Sequence, residues 1–125
     1  MNVIIKKAEK PEHYKIIEIL AKDIWNECYS SIISKEQIKY MLDNFQSESV
    51  IKEQSENNYL YFFAEYSGSY AGYCCIKPEN NEIFLSKFYM KKEFRGKGIA
   101  KKLFNHALEP FLHQKPLRVH LTVNK

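Results

Sequence analysis

Glycine and proline are scarce in this 125-residue chain, four of each, and no stretch reads as a low-complexity linker or an internal repeat. A chain of this length without a linker is read as one domain with one core. Cysteine is scarcer still. There are three, with Cys74 and Cys75 adjacent, an arrangement that suits reduced thiols and argues against a disulfide framework. Long apolar runs are missing too. No segment approaches the ~20 residues of a membrane span, and "MNVIIKKAEK" has no apolar stretch after a basic start that would make it a signal peptide. These absences predict a cytoplasmic protein. Acids are rare only locally. Residues 87–125 carry ten Lys/Arg against two Asp/Glu, whereas residues 1–86 carry nine against thirteen. The basic half suits an anion and the acidic half a cation, unless both are simply solvated faces.

What is abundant is apolar and aromatic. Hydrophobic residues make up 45% and aromatics 14%, with nine Tyr and eight Phe, which excludes a disordered chain. "NVIIKKA" (2–8) reads as a strand, and Pro11 opens a helix with Ile16, Ile17, Ile19, Leu20, Ile24 and Trp25 at helical spacing. Ser34 and Gln37 form a capping-box pattern ahead of an apolar stripe, and 47–54 reads as a further short helix. "LYFFAEY" (60–66), a glycine turn and "YAGYCCI" (70–76) predict a hairpin. "PENN" reads as a turn and "EIFLSKFYM" (82–90) as a third strand of that group. From Gly98 a helical stripe runs until Pro110 should end it, and "LRVHLTV" (117–123) alternates as a last strand. A hairpin followed by a strand–helix–strand unit gives a mixed sheet flanked by helices, of the α/β (α+β) class.

The stretch "KKEFRGKGIAKK" places six Lys/Arg and one Glu around two glycines, between a predicted strand and a predicted helix. A helix N-terminus leaves backbone N–H groups without partners and carries about half a positive charge. Glycines let a diphosphate approach those groups. A phosphate cradle is therefore expected. A nucleic-acid partner is not, because the basic turn holds no stacking aromatic platform and no recognition motif.

"RGKGIA" (95–100) resembles the R-x-x-G-x-A form of the acetyl-CoA signature of GNAT-superfamily N-acetyltransferases, and "LSKFYMKKEFRGKGIAKKLF" resembles that motif with its preceding strand. The element order of the whole chain agrees. The resemblance implies the GNAT fold over residues 1–125, acetyl-CoA as co-substrate and a small amine as acceptor. It implies that the backbone N–H groups of Arg95, Gly96, Lys97, Gly98, Ile99, Ala100 and Lys101 hold the pyrophosphate. The backbone of Phe88, Tyr89 and Met90 would pair with the pantetheine arm as an added strand does.

An alkyl amine is protonated near neutral pH, so a base must free it for attack. Strict alternation on strand 82–90 puts Glu82, Phe84, Ser86, Phe88 and Met90 on one face. Glu82 stands at a position that resembles the base of histone-type members; read without the family it is an exposed strand-end carboxylate. Many small-molecule members carry their acid two residues later, where this chain has Phe84. His120 is a second candidate, alternating away from Val119 and Leu121, or else it is a packed histidine. "DIWNECYSSIISKEQIKYML" more loosely resembles the helical region of bacterial spermidine/spermine-type members, which implies Asp23, Trp25, Glu27 and Tyr29 as contacts for a polyamine or another cationic amine. Carboxylates beside aromatic faces attract ammonium groups. Trp25 and the tyrosines equally suit a core.

Family members continue beyond the last strand into a helix and hairpin carrying a cofactor-binding asparagine and a tyrosine acid. This chain stops at "LTVNK", where Asn124 is no obvious substitute. The expectation is an incomplete domain, with a coenzyme-A-binding protein lacking catalysis as the alternative. The edge offered by "VHLTV" implies pairing of two copies into a homodimer.

Overall fold

A computed structural model describes residues 3–80, 82–113 and 118–121. Strand β1 (Val3–Lys7) leads into α1 (Pro11–Tyr29), α2 (Lys35–Phe45) and α3 (Glu48–Ser55). Three strands follow, β2 (Leu60–Tyr66), β3 (Ser69–Glu79) and β4 (Glu82–Met90), then α4 (Ile99–Leu108) and β5 (Arg118–Leu121). The predicted order and types hold. Residues Leu117, Thr122 and Val123 of the expected last strand lie outside the described residues, as does Asn124.

Local chemistry sets the boundaries. Pro11 takes the first turn of α1, where a missing N–H costs nothing. At α2 both halves of the Ser34–Gln37 capping box form, and Ser47 caps α3 by accepting from the Val50 N–H. The β2–β3 turn puts Ser67 and Gly68 at φ 50° and 83°, the two positive values a tight primed turn needs to match the twist of its strands. Pro110 ends α4, which passes into a short 3₁₀ turn at Glu109–Phe111.

The five strands run in the order β1-β2-β3-β4-β5, with antiparallel pairs up to β4 and a parallel β4–β5 pair joined through α4. Helices α1–α3 cover one face, burying Ile17, Leu20, Ile24, Trp25, Ile38 and Ile51 against Tyr61, Phe63, Tyr73 and Cys75. Helix α4 covers the other, with Ile99, Leu103, Ala107 and Leu108 on Phe62, Cys74, Ile76 and Ile83. Both faces of β2 and β3 are thus in core, which is why their sequences read as nearly continuous apolar runs.

Two expectations are corrected. β3 runs three residues past Ile76 through Pro78, where the sequence predicts a turn. Its pairing with β2 stops at Ile76, so the proline sits where no neighbour needs its missing N–H, and only β4 accompanies it. The single face drawn through Glu82, Phe84, Ser86, Phe88 and Met90 is also wrong. Cys75 pairs with Lys87 but Ile76 with Leu85, so Ser86 is an extra residue in a β-bulge. The bulge reverses the alternation. Ile83, Leu85, Phe88 and Met90 lie toward α4, while Lys87 and Tyr89 face α1–α3. Before the bulge, Glu82 and Phe84 share that second face.

Candidate active site

β4 is paired with β3 along its full length but with β5 only from Glu82 to Leu85. Beyond Leu85 its outer edge has no strand partner among the described residues. That free edge runs into a cleft of about 450 Å³ lined by Phe88, Tyr89 and Met90 of β4, Cys28 and Tyr29 at the end of α1, and Lys92 and Arg95 of the following turn. Four predicted cofactor contacts therefore converge with the predicted acceptor contact Tyr29. Cys28 and Lys92 also line the cleft and were not singled out from the sequence. Nothing in a helix-end cysteine marks it; Lys92 was visible only as one of the basic cluster.

The turn itself is shaped for an anion. Gly96 and Gly98 adopt φ 77° and 79°, values that L side chains rarely take. A Cβ at either glycine would meet nothing within 4 Å, so conformation and not crowding requires them, and the space above them is open. Gly98 is the N-cap of α4 and supplies no side-chain cap, unlike Ser34 and Ser47 at α2 and α3. The first-turn N–H groups of α4, including those of Ala100 and Lys101, are left for a ligand. Lys97 and Lys101 are exposed beside them, and Ile99 is buried in the α4 core, anchoring the turn. These features fit the diphosphate and the arm of coenzyme A. Arg95 departs from the simple picture, since its Nη2 turns back to donate to the Met90 carbonyl and to Cys28 Sγ, each at 3.2 Å.

The predicted acceptor residues on α1 separate. Trp25 is only 6% exposed and packs between Tyr29 and Tyr89, with ring centroids 4.6 and 5.8 Å away. It is core. Asp23 and Glu27 lie on the surface of α1 beside the basic turn. Asp23 Oδ2 is 3.6 Å from Lys91 Nζ, and Glu27 Oε2 accepts from the Lys92 N–H at 3.0 Å.

Glu82 and His120 are brought together, with His120 Nε2 3.8 Å from Glu82 Oε2 and its ring stacked on Phe84 at 5.3 Å. Parallel register explains the stack, because Phe84 and His120 are opposite one another. Both side chains are about half exposed, at 47% and 49%. They lie where β4 and β5 are still paired, short of the free edge and eight residues along the strand from Met90. The structure does not join them to the cleft.

Sequence reasoning passed over Lys87. Its side chain is buried beneath α2 and α3, donating to the Phe45 carbonyl, to Tyr61 Oη at 2.6 Å and to Gln54 Oε1 at 3.3 Å. Loss of hydration pushes its pKa down to about 8, against a smaller opposing influence of Cys75. A lysine among residues 84–90 of β4, which are otherwise apolar apart from Ser86, is the signal.

Comparison with known proteins agrees with this geometry. The family model of the acetyltransferase (GNAT) family matches residues 19–125. Among solved structures, the N-acetyltransferase PaiA of Thermoplasma acidophilum, in complex with coenzyme A, superposes with a TM-score of 0.82 at 24% identity, covering 100% of this chain and 81% of that one. An aminoglycoside acetyltransferase from an uncultured soil metagenomic sample gives 0.72 at 14% identity, with 100% and 82% covered. A putative acetyltransferase from Pyrococcus furiosus gives 0.69 at 19%, with 99% and 84% covered. Enzymes of this kind use acetyl-CoA. The chain belongs to the GNAT family of acetyltransferases.

Proposed function

We propose that this chain transfers the acetyl group of acetyl-CoA to a primary amine of a small cationic acceptor such as a polyamine. The observation that carries the reading is the free edge of β4 leading past the bulge into a cleft closed by the end of α1 and by Lys92 and Arg95, with an uncapped helix start following in the chain. Such an edge offers main-chain hydrogen bonds to an extended ligand. Bound acetyl-CoA supplies an acyl group activated as a thioester. Phe88, Tyr89 and Met90 align its arm, and the amides from Arg95 to Lys101 hold its charged end. The acceptor approaches from the α1–α3 side, where residues 12–56 carry nine acids against five Lys/Arg and Tyr29 forms part of the cleft wall. An excess of carboxylates on these helices, with an aromatic side chain in the cleft wall, favours an ammonium substrate. Glu82, with His120 beside it, stands apart from the cleft wall, so the proton that the ammonium must lose before its nitrogen can attack passes to it through a water relay.

The test is a panel of amines assayed by release of free coenzyme A. Spermidine and spermine are expected to turn over faster than neutral or anionic amines, and Glu82→Gln to cut kcat about 100-fold, the lower end of general-base contributions. Equal rates for neutral amines would remove the cationic acceptor. Unchanged kcat in Glu82→Gln would remove the base.

A further inference from the structure

The acids of α1 that a polyamine was expected to meet are joined instead to the turn that takes the diphosphate. Asp23, Glu27 and Cys28 lie on neighbouring turns of one helix, and each meets a different residue of the segment after β4. Asp23 faces the Lys91 ammonium, Glu27 accepts from the Lys92 N–H, and Cys28 Sγ accepts from Arg95. Underneath, Ile24 and Trp25 are buried in the sheet core, and Trp25 touches Tyr89 of the cleft wall. The helix end cannot move without carrying these three contacts with it.

We propose that Glu27 is a positioning residue for the cofactor turn, so that α1 and the turn behave as one piece. The proposal rests on the acetyl-CoA-dependent reading above. The turn's other restraints lie around the Glu27 bond: the Lys91 N–H donates to the Ala71 carbonyl, Phe94 meets Tyr66 edge-on, Arg95 reaches back to Met90, and Ile99 of α4 is buried. Its glycines are conformationally free, and the Phe94 and Arg95 amides make only short-range bonds, to Lys91 and Lys92. The bond from Glu27 fixes the Lys91–Lys92 peptide, where the segment leaves β4 four residues ahead of Gly96. Ordering the turn in advance lowers the cost of binding a ligand to its amides. The same link gives a route by which an acceptor bound against α1 and a cofactor bound on the turn affect one another, as two sites on one rigid element must when both bias its position.

Charge and geometry predict opposite results, which makes the role testable. A carboxylate near the diphosphate opposes an anion, so if Glu27 acted through charge alone, both Glu27→Gln and Glu27→Ala would tighten coenzyme A binding. If it acts by holding the Lys92 amide, Glu27→Gln keeps an oxygen acceptor and binds as well as the parent or better. Glu27→Ala then binds several-fold more weakly, the scale set by losing one net hydrogen bond. Titration of acetyl-CoA into the parent and both variants reads this directly, and the exposed site on α1 leaves the fold intact. Amide hydrogen exchange at Lys92 without any ligand is expected to quicken in Glu27→Ala and not in Glu27→Gln. Unchanged Lys92 exchange in Glu27→Ala would overturn the proposal whatever the protein binds. Quickened exchange in Glu27→Ala, together with a parent protein that fails to bind acetyl-CoA, would instead overturn the cofactor reading. Spermidine affinity measured without cofactor is expected to be equal in the parent and Glu27→Gln, and a loss there would return Glu27 to the acceptor site.

Discussion

Lys87 is the residue whose chemistry departs furthest from its surroundings. It is 7% exposed, and the neighbours that accept its hydrogen bonds are neutral. Its pKa is held near 8 by burial, against 10.5 for a solvated lysine. Between those values the unfolded chain keeps a proton that the native protein releases. Stability therefore rises with pH across this window, by up to about 1.4 kcal/mol per unit. Two buried thiols act in the opposite sense. Burial pushes Cys75 up to about 12 and Cys74 higher still, so above pH 9 the unfolded chain loses protons that the fold retains, and stability falls. The expected profile in urea denaturation rises from about pH 8 to about 9 and then declines. Lys87→Met should abolish the rise and leave the decline. A rise that persists in Lys87→Met would assign it to another group. The sequence displayed this lysine in plain view, yet only tertiary packing shows that α2 and α3 close over it.

At the scale of the element, β4 decides the site. Its bounds, the preceding hairpin and the following basic turn were all legible, because alternation, turn residues and glycine spacing are local signals. Its bulge was not. An extra residue in a strand is defined by the register of its partner, and nothing in "EIFLSKFYM" separates Ser86 from a regular position. Missing it misassigned the face of Glu82 relative to Phe88. The same kind of blindness affected α1. The spacing of Asp23 and Glu27 was readable, but what they face depends on how α1 crosses the end of β4. Gly72 holds that end in place from the other side. A Cβ there would lie 2.4 Å from both the Tyr89 carbonyl oxygen and Met90 Sδ, and the backbone oxygen cannot move aside without shifting the strand. Gly72→Ala should destabilise the fold by about 1–3 kcal/mol. Acetyl-CoA affinity should fall as well, because Tyr89 and Met90 belong to the cleft edge. Full stability in denaturant together with unchanged affinity would show that β4 is not confined there.

For the whole molecule, the division of labour follows from which face of the sheet each helix covers. α4 seats the glycine turn on one side and α1–α3 build the acidic side, while β4 runs between them with an edge that has no strand partner past Leu85 among the described residues. Charge asymmetry along the sequence anticipated this arrangement, since the basic half contains the turn and the acidic half the helices. No helix among the described residues is long and apolar enough to cross a membrane. The central claim is that the turn after β4 binds acetyl-CoA through backbone amides exposed by its left-handed glycines. Isothermal titration of acetyl-CoA into the parent and Gly98→Asp tests it most directly. The parent should bind, and the variant should lose about a hundredfold or more, because a carboxylate then stands at the N-cap where the diphosphate must lie. Equal affinity in the two proteins would contradict the account.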